Sequence, residues 1–121
     1  MKNMFIAMAA FLLLTGCNHP GEPESLRVVG GEPVIYLTDN GEQIRVSYYA
    51  LSDSTLFFAR LTMPGGMEYT LPQVVSASGA RYTDDRDILW WIKGETATLQ
   101  TRDSLGAWQT ISTSTVAGKP R

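Results

Sequence analysis

Residues 76–99 read SASGARYTDDRDILWWIKGETATL, and the spacing of their apolar side chains decides the fold. Ile88, Trp90 and Ile92 fall on one side of an alternating run and Leu89, Trp91 and Lys93 on the other, the period of two of a half-buried strand. The run breaks at Lys93-Gly94-Glu95 and resumes at Thr96, so two hairpins share one strand. The polar cluster Thr83-Asp84-Asp85-Arg86-Asp87 makes the first turn. Regular pairing outward from it joins residues whose numbers sum to about 171, which sets Ser78 opposite Lys93. A hydroxyl and an ammonium then stand side by side at the open end of the hairpin, flanked by Gly79 and Gly94. Gly79 suits a bulge or a tight bend, and Gly94 a turn that needs positive φ.

Working outward, the rest of the chain is also strands and turns. Short strands are expected over residues 26–29, 33–38, 43–50, 55–62 and 67–75, the last interrupted at Pro72, and over 96–100 and 107–112. Asp39-Asn40-Gly41 is a strong hairpin turn. In residues 55–62 both faces are apolar, with Phe57, Ala59 and Leu61 on one and Leu56 and Phe58 on the other, which predicts a central strand. No stretch holds a 3.6-residue period. Six to eight antiparallel strands with turns every eight to twelve residues point to an all-β domain, a small barrel or a flattened sandwich.

Two motifs identify a resemblance. SASGARY, followed by Trp91-Ile92-Lys93-Gly94-Glu95-Thr96-Ala97-Thr98-Leu99 as WxKGxxAxL, resembles the signatures of the membrane-bound and periplasmic inhibitors of c-type lysozyme. Tyr36-Leu37-Thr38-Asp39-Asn40-Gly41, followed by Val46 and Tyr48, is similar to that family's opening motif, with Thr38 where a cysteine usually stands. The resemblance covers about residues 34–99. It implies an eight-stranded antiparallel barrel and a c-type lysozyme as partner. It also implies that Ser78 and Lys93 enter the enzyme's cleft, with Ser76 the alternate hydroxyl and Gly79, Arg81, Tyr82 and Gly94 in support. The family's serine and lysine stand one residue closer together than these, and the extra residue is assigned to the turn at Asp84 to Asp87. The family's second cysteine, near the carboxyl end, is also missing here, so a bridge worth about 2 to 5 kcal/mol in a small secreted domain has to be replaced by packing.

The amino end has its own logic. Lys2, the apolar run from Met4 to Leu14 and the tetrapeptide Leu14-Thr15-Gly16-Cys17 read as a lipoprotein signal over residues 1–16, too short to span a bilayer. Cys17 is then the lipidated residue, and acyl chains contribute about 0.8 kcal/mol per buried methylene to anchoring. Residues 17–25 form the lipidated cysteine and a polar tether, and residues 26–121 the barrel domain. Asn18 rather than Asp after the cysteine implies, by the sorting habit of enteric lipoproteins, the outer membrane facing the periplasm.

The chain has 121 residues, ten Lys and Arg against twelve Asp and Glu, and one cysteine. Its net charge of −2 gives no reason to expect nucleic acid and favours a basic partner, which animal c-type lysozymes generally are. The one histidine, His19, lies in the tether, where no serine of the domain can use it as a base. Asp84, Asp85 and Asp87 lack the spacing and the glycine of a calcium loop and read as a solvated turn, so no metal and no cofactor is expected. No carboxyl group lies in an obviously apolar setting that would suit it to glycoside hydrolysis. Trp90, Trp91 and Trp108 read as packing rather than a sugar platform. The rival reading is an envelope lipoprotein that binds a cell-wall fragment or an envelope protein and inhibits nothing. Pairing into a homodimer is left open by the sequence.

Overall fold

The computed structural model describes residues 25–118, so the signal segment, Cys17 and most of the tether lie outside the described residues. Eight strands follow one another: β1 (Val28–Thr38), β2 (Gln43–Leu51), β3 (Phe57–Thr62), β4 (Glu68–Val74), β5 (Ala80–Thr83), β6 (Ile88–Lys93), β7 (Thr96–Arg102) and β8 (Trp108–Val116). Each pairs antiparallel with its neighbour in sequence, and β8 returns to β1, which makes a closed barrel rather than a sandwich. Closure joins the two edge strands of what would otherwise be an open sheet, through Tyr36, Leu37 and Thr38 of β1.

Several expectations shift. Residues 26–29 and 33–38 are not two strands: β1 runs through both, with a bulge between Gly30 and Pro33 that keeps it paired to β2. Pro72 does not interrupt β4. It pairs with Phe58 of β3, and the ladder to β5 begins only at Gln73, so the missing N–H falls where β4 is least engaged. In a closed barrel no strand is more central than another. The second apolar face of β3 is therefore outer surface, where Phe58 stacks on Tyr49 at 5.0 Å, and Phe57 is a rim residue.

Inward-facing residues of the strands fill the barrel: Tyr36, Ile44, Val46, Ala59, Leu61, Leu71, Tyr82, Trp90 and Leu99 are all buried. Trp90 is fully enclosed, with Tyr36 edge-on at 5.0 Å. Its indole N–H donates to the Tyr48 hydroxyl at 2.9 Å, which also shares a 2.8 Å hydrogen bond with the Tyr36 hydroxyl. Burial, reinforced by the Tyr36 hydroxyl, pushes the Tyr48 phenol well above its ordinary range. Tyr48 is thus the acceptor that lets a tryptophan N–H sit in an apolar interior. Tyr48→Phe strands that N–H and is expected to lower stability by about 1 to 3 kcal/mol, read as a fall in the midpoint of denaturant or thermal unfolding.

Thr38, at the position of the family's cysteine, faces Ser114 across the β1–β8 ladder, and both are buried. Alternating directions around the barrel bring the 52–56, 75–79 and 94–95 connections to one end, together with the start of β1 and the finish of β8. The Ser52 N–H donates to the Arg27 carbonyl and the Arg27 N–H to the Ser52 hydroxyl, which secures the first described residues to that same end. Ser78 and Lys93 lie there too.

Candidate functional site

The site is built by β5, β6 and the connections at their open ends. The turn over 84–87 sets their register. The Asp84 carboxylate accepts from the backbone N–H groups of Arg86, Asp87 and Ile88 at 2.9 to 3.2 Å. Partial burial pushes that carboxyl up, but the three N–H donors and Arg86 outweigh it and hold it below the usual carboxylate range. Asp85 takes a left-handed conformation, φ 57°, and Arg102 reaches its carboxylate at 2.8 Å. Among the described residues no group of acidic side chains could hold a metal ion.

With this turn, Ala80 pairs with Ile92, Arg81 with Trp91, Tyr82 with Trp90 and Thr83 with Leu89. The expected register is therefore wrong by one residue: Ser78 is not the partner of Lys93. Gly79 takes that place, with a φ of 63°. A β-carbon on Gly79 would lie 2.1 Å from the Ile92 carbonyl and 2.9 Å from Cγ of Lys93, so both the conformation and the space demand glycine. The physical reason is that the turn length, and not the alternation, sets which residues face each other. The alternation of β6 survives: Trp90 points in, and Trp91 lies on the outer face, the side that also carries Lys93.

Ser78 and Lys93 are nevertheless neighbours, through Trp91. The Trp91 indole N–H donates to the Ser78 carbonyl at 2.9 Å, and the Lys93 ammonium lies 4.1 Å from the centroid of the same ring. The Arg81 guanidinium, directly across the ladder, is 5.1 Å from that centroid, and its Nε is buried without a hydrogen bond. The Ser76 hydroxyl donates to the Ser78 carbonyl at 2.5 Å, which commits it to shaping the loop. Ser78 and Lys93 are both exposed, and neither the Ser78 hydroxyl nor the Lys93 ammonium has a hydrogen bond or ion pair among the described residues. Val75, 96 % exposed, shows how far this loop stands clear of the barrel wall.

Gly94 occupies the first central position of the two-residue turn from β6 to β7, with φ 60° and open space where a β-carbon would be. Tyr82 supports the loop from inside, buried in the barrel against Tyr48 at 5.4 Å between ring centres. The residue that sequence reading missed is Trp91, taken as packing. The signal was present: in a strand, residues two apart share a face, so Trp91 had to lie beside Lys93.

Comparison with known proteins points to one family. Residues 36–108 match the family model described as membrane-bound lysozyme-inhibitor of c-type lysozyme. A membrane-bound lysozyme inhibitor of C-type lysozyme from Yersinia enterocolitica is 34 % identical over 104 residues, covering 80 % of this chain and 75 % of the relative. A protein of the same name from Pseudomonas aeruginosa is 38 % identical over 66 residues, 54 % of this chain and 50 % of the relative. Among solved structures, P. aeruginosa MliC, crystallised in complex with hen egg white lysozyme, superposes with a TM-score of 0.58 at 26 % identity, covering 79 % of this chain and 90 % of that one. The match runs from Tyr36 in β1 to Trp108 at the start of β8 and takes in the whole Ser78 to Lys93 hairpin, so the chain belongs to the family of membrane-bound inhibitors of c-type lysozyme.

Proposed function

We propose that this protein inhibits a c-type lysozyme by placing the Ser78 and Lys93 tip in the enzyme's active-site cleft. A c-type lysozyme works with two carboxyl groups across a cleft, one held protonated as the acid and one ionised. An ammonium and a hydroxyl presented together occupy the substrate's place and pair with the charge that catalysis uses. The observation that carries this reading is the exposed Lys93 ammonium, without an ion pair among the described residues and close to Ser78 on a projecting loop. A buried cation in the same fold would have nothing to offer a partner. The relative solved with hen egg white lysozyme supports the choice of enzyme. The overall acidic charge draws a basic enzyme in while one cationic tip aligns it.

On this reading the protein is an inhibitor and not an enzyme, and its barrel is carried on a lipid at Cys17 in the bacterial envelope, on the outer membrane facing the periplasm. The decisive measurement is the lysis of a cell-wall suspension by hen egg white lysozyme with and without purified residues 18–121. Slowing to near completion at a small molar excess is expected, and lysis unchanged at that excess would leave the binding lipoprotein as the better reading. For the anchor, fatty-acid labelling of cells should mark the wild-type protein and lose the mark completely in Cys17→Ser.

A further inference from the structure

We infer that Trp91 is the positioning residue of the tip, one indole that holds Ser78 by its N–H edge and Lys93 by its face. This rests on the inhibitory reading for its purpose, but on the geometry of the free protein for its content.

The ladder between β5 and β6 ends at Ala80 and Ile92, so no sheet bond reaches Ser78. Gly79, in its left-handed conformation, turns the chain away at that point. Among the described residues the Ser78 carbonyl accepts two hydrogen bonds. One comes from Ser76 within the same loop, and the other, from Trp91, is the one that ties the loop to β6. The same indole carries the Lys93 ammonium at 4.1 Å. A cation resting on an exposed ring is held weakly, and an ionised carboxylate in a water-poor cleft holds it more strongly. The ring therefore keeps a long, flexible side chain gathered near its working position and gives it up to the partner, which reduces the ordering cost of binding. Arg81, directly across the ladder, also lies against this ring, at 5.1 Å from its centroid.

Trp91 is half-buried on the outer face, whereas its neighbour Trp90 is in the core, so substitution at 91 spares the barrel interior. Trp91→Phe keeps a ring face and removes the N–H, and is expected to weaken inhibition about three- to ten-fold. If the N–H acts through Ser78, that penalty shrinks to less than about two-fold when it is measured in a Ser78→Ala background, whereas a general structural role would leave it unchanged. Trp91→Leu removes the face as well and is expected to cost about ten-fold or more. The free domain supplies the second readout. By nuclear magnetic resonance the Lys93 ε-methylene protons should be shifted upfield by the ring in wild type and return to ordinary values in Trp91→Leu. In Trp91→Phe the amides of residues 76–79 should move while those around Trp90 stay in place.

Unshifted Lys93 methylene protons in wild type, or penalties for Trp91→Phe and Ser78→Ala that simply add, overturn the inference. Should the wild-type domain fail to slow lysis although both spectral signatures are present, the inhibitory reading falls and with it a role in inhibition for Trp91. The indole's hold on Ser78 and Lys93 would then stand as a property of the free protein.

Discussion

Lys93→Ala is expected to raise the concentration of domain needed to halve hen egg white lysozyme activity by more than about ten-fold, a loss of roughly 1.4 kcal/mol or more. The size follows from what the ammonium is asked to do. Among the described residues its contact is a weak one, with the Trp91 ring, so alanine costs the fold little. Under the proposed function it would form a charge-assisted bond between two carboxyl groups at the centre of an interface, where truncation of a single side chain is most expensive. The unfolding midpoint of the variant should stay within a degree or two of wild type on the scale of about 4 to 8 °C per kcal/mol for a domain of this size. A variant that inhibits as well as wild type would remove Lys93 from the mechanism. Lys93→Arg, which keeps the charge but changes the shape and the hydrogen-bonding fork, should fall between the two.

The second large effect concerns stability. The double variant Thr38→Cys with Ser114→Cys is expected to close a disulfide in oxidising conditions and to stabilise the domain by about 2 to 4 kcal/mol relative to its reduced form. Thr38 and Ser114 face each other across the β1–β8 ladder. The backbone bond from the Asp39 N–H to the Thr113 carbonyl, and the one from the Ala117 N–H to the Ile35 carbonyl, mark the alternate positions of that ladder as its hydrogen-bonded pairs. Thr38 and Ser114 therefore form a non-hydrogen-bonded pair, whose α-carbons lie about 4.5 Å apart, within the range a disulfide bridges. The bond would join β1 to β8, the contact that closes the barrel and links the two ends of the domain in sequence. Equal unfolding midpoints with and without reductant would show that the pair does not bridge or that its strain cancels the gain. In the present chain two buried small hydroxyl residues stand there, and closure rests on packing and the ladder.

The period of two in residues 88–93 was enough to assign β6 and to put Trp90 and Lys93 on opposite sides of it. The all-β architecture was legible for the same reason, since alternation and turn residues are local properties. Strand limits were less so. Gly30, Gly31 and Glu32 fall between the two strands expected over 26–29 and 33–38, yet the bulge absorbs them because β2 pairs on both sides of it. The facing of Ser78 and Lys93 was misjudged because it depends on how many residues the turn consumes, and Asp85 in a left-handed conformation changes that count without changing the pattern of apolar residues. Phe57 and Phe58 were read as two buried faces, but closure of the sheet into a barrel leaves only one inside.

From its sequence alone this chain is committed to alternating strands, to an outward lysine next to a glycine turn, and to motifs that mark its family, because each of these is a matter of neighbouring residues. Tertiary structure alone decided that Gly79 and not Ser78 faces Lys93, and that the serine and the lysine meet through one indole. Pairing register and side-chain contact across strands arise from residues distant in the chain, fixed by turn geometry and barrel closure, and no local period records them.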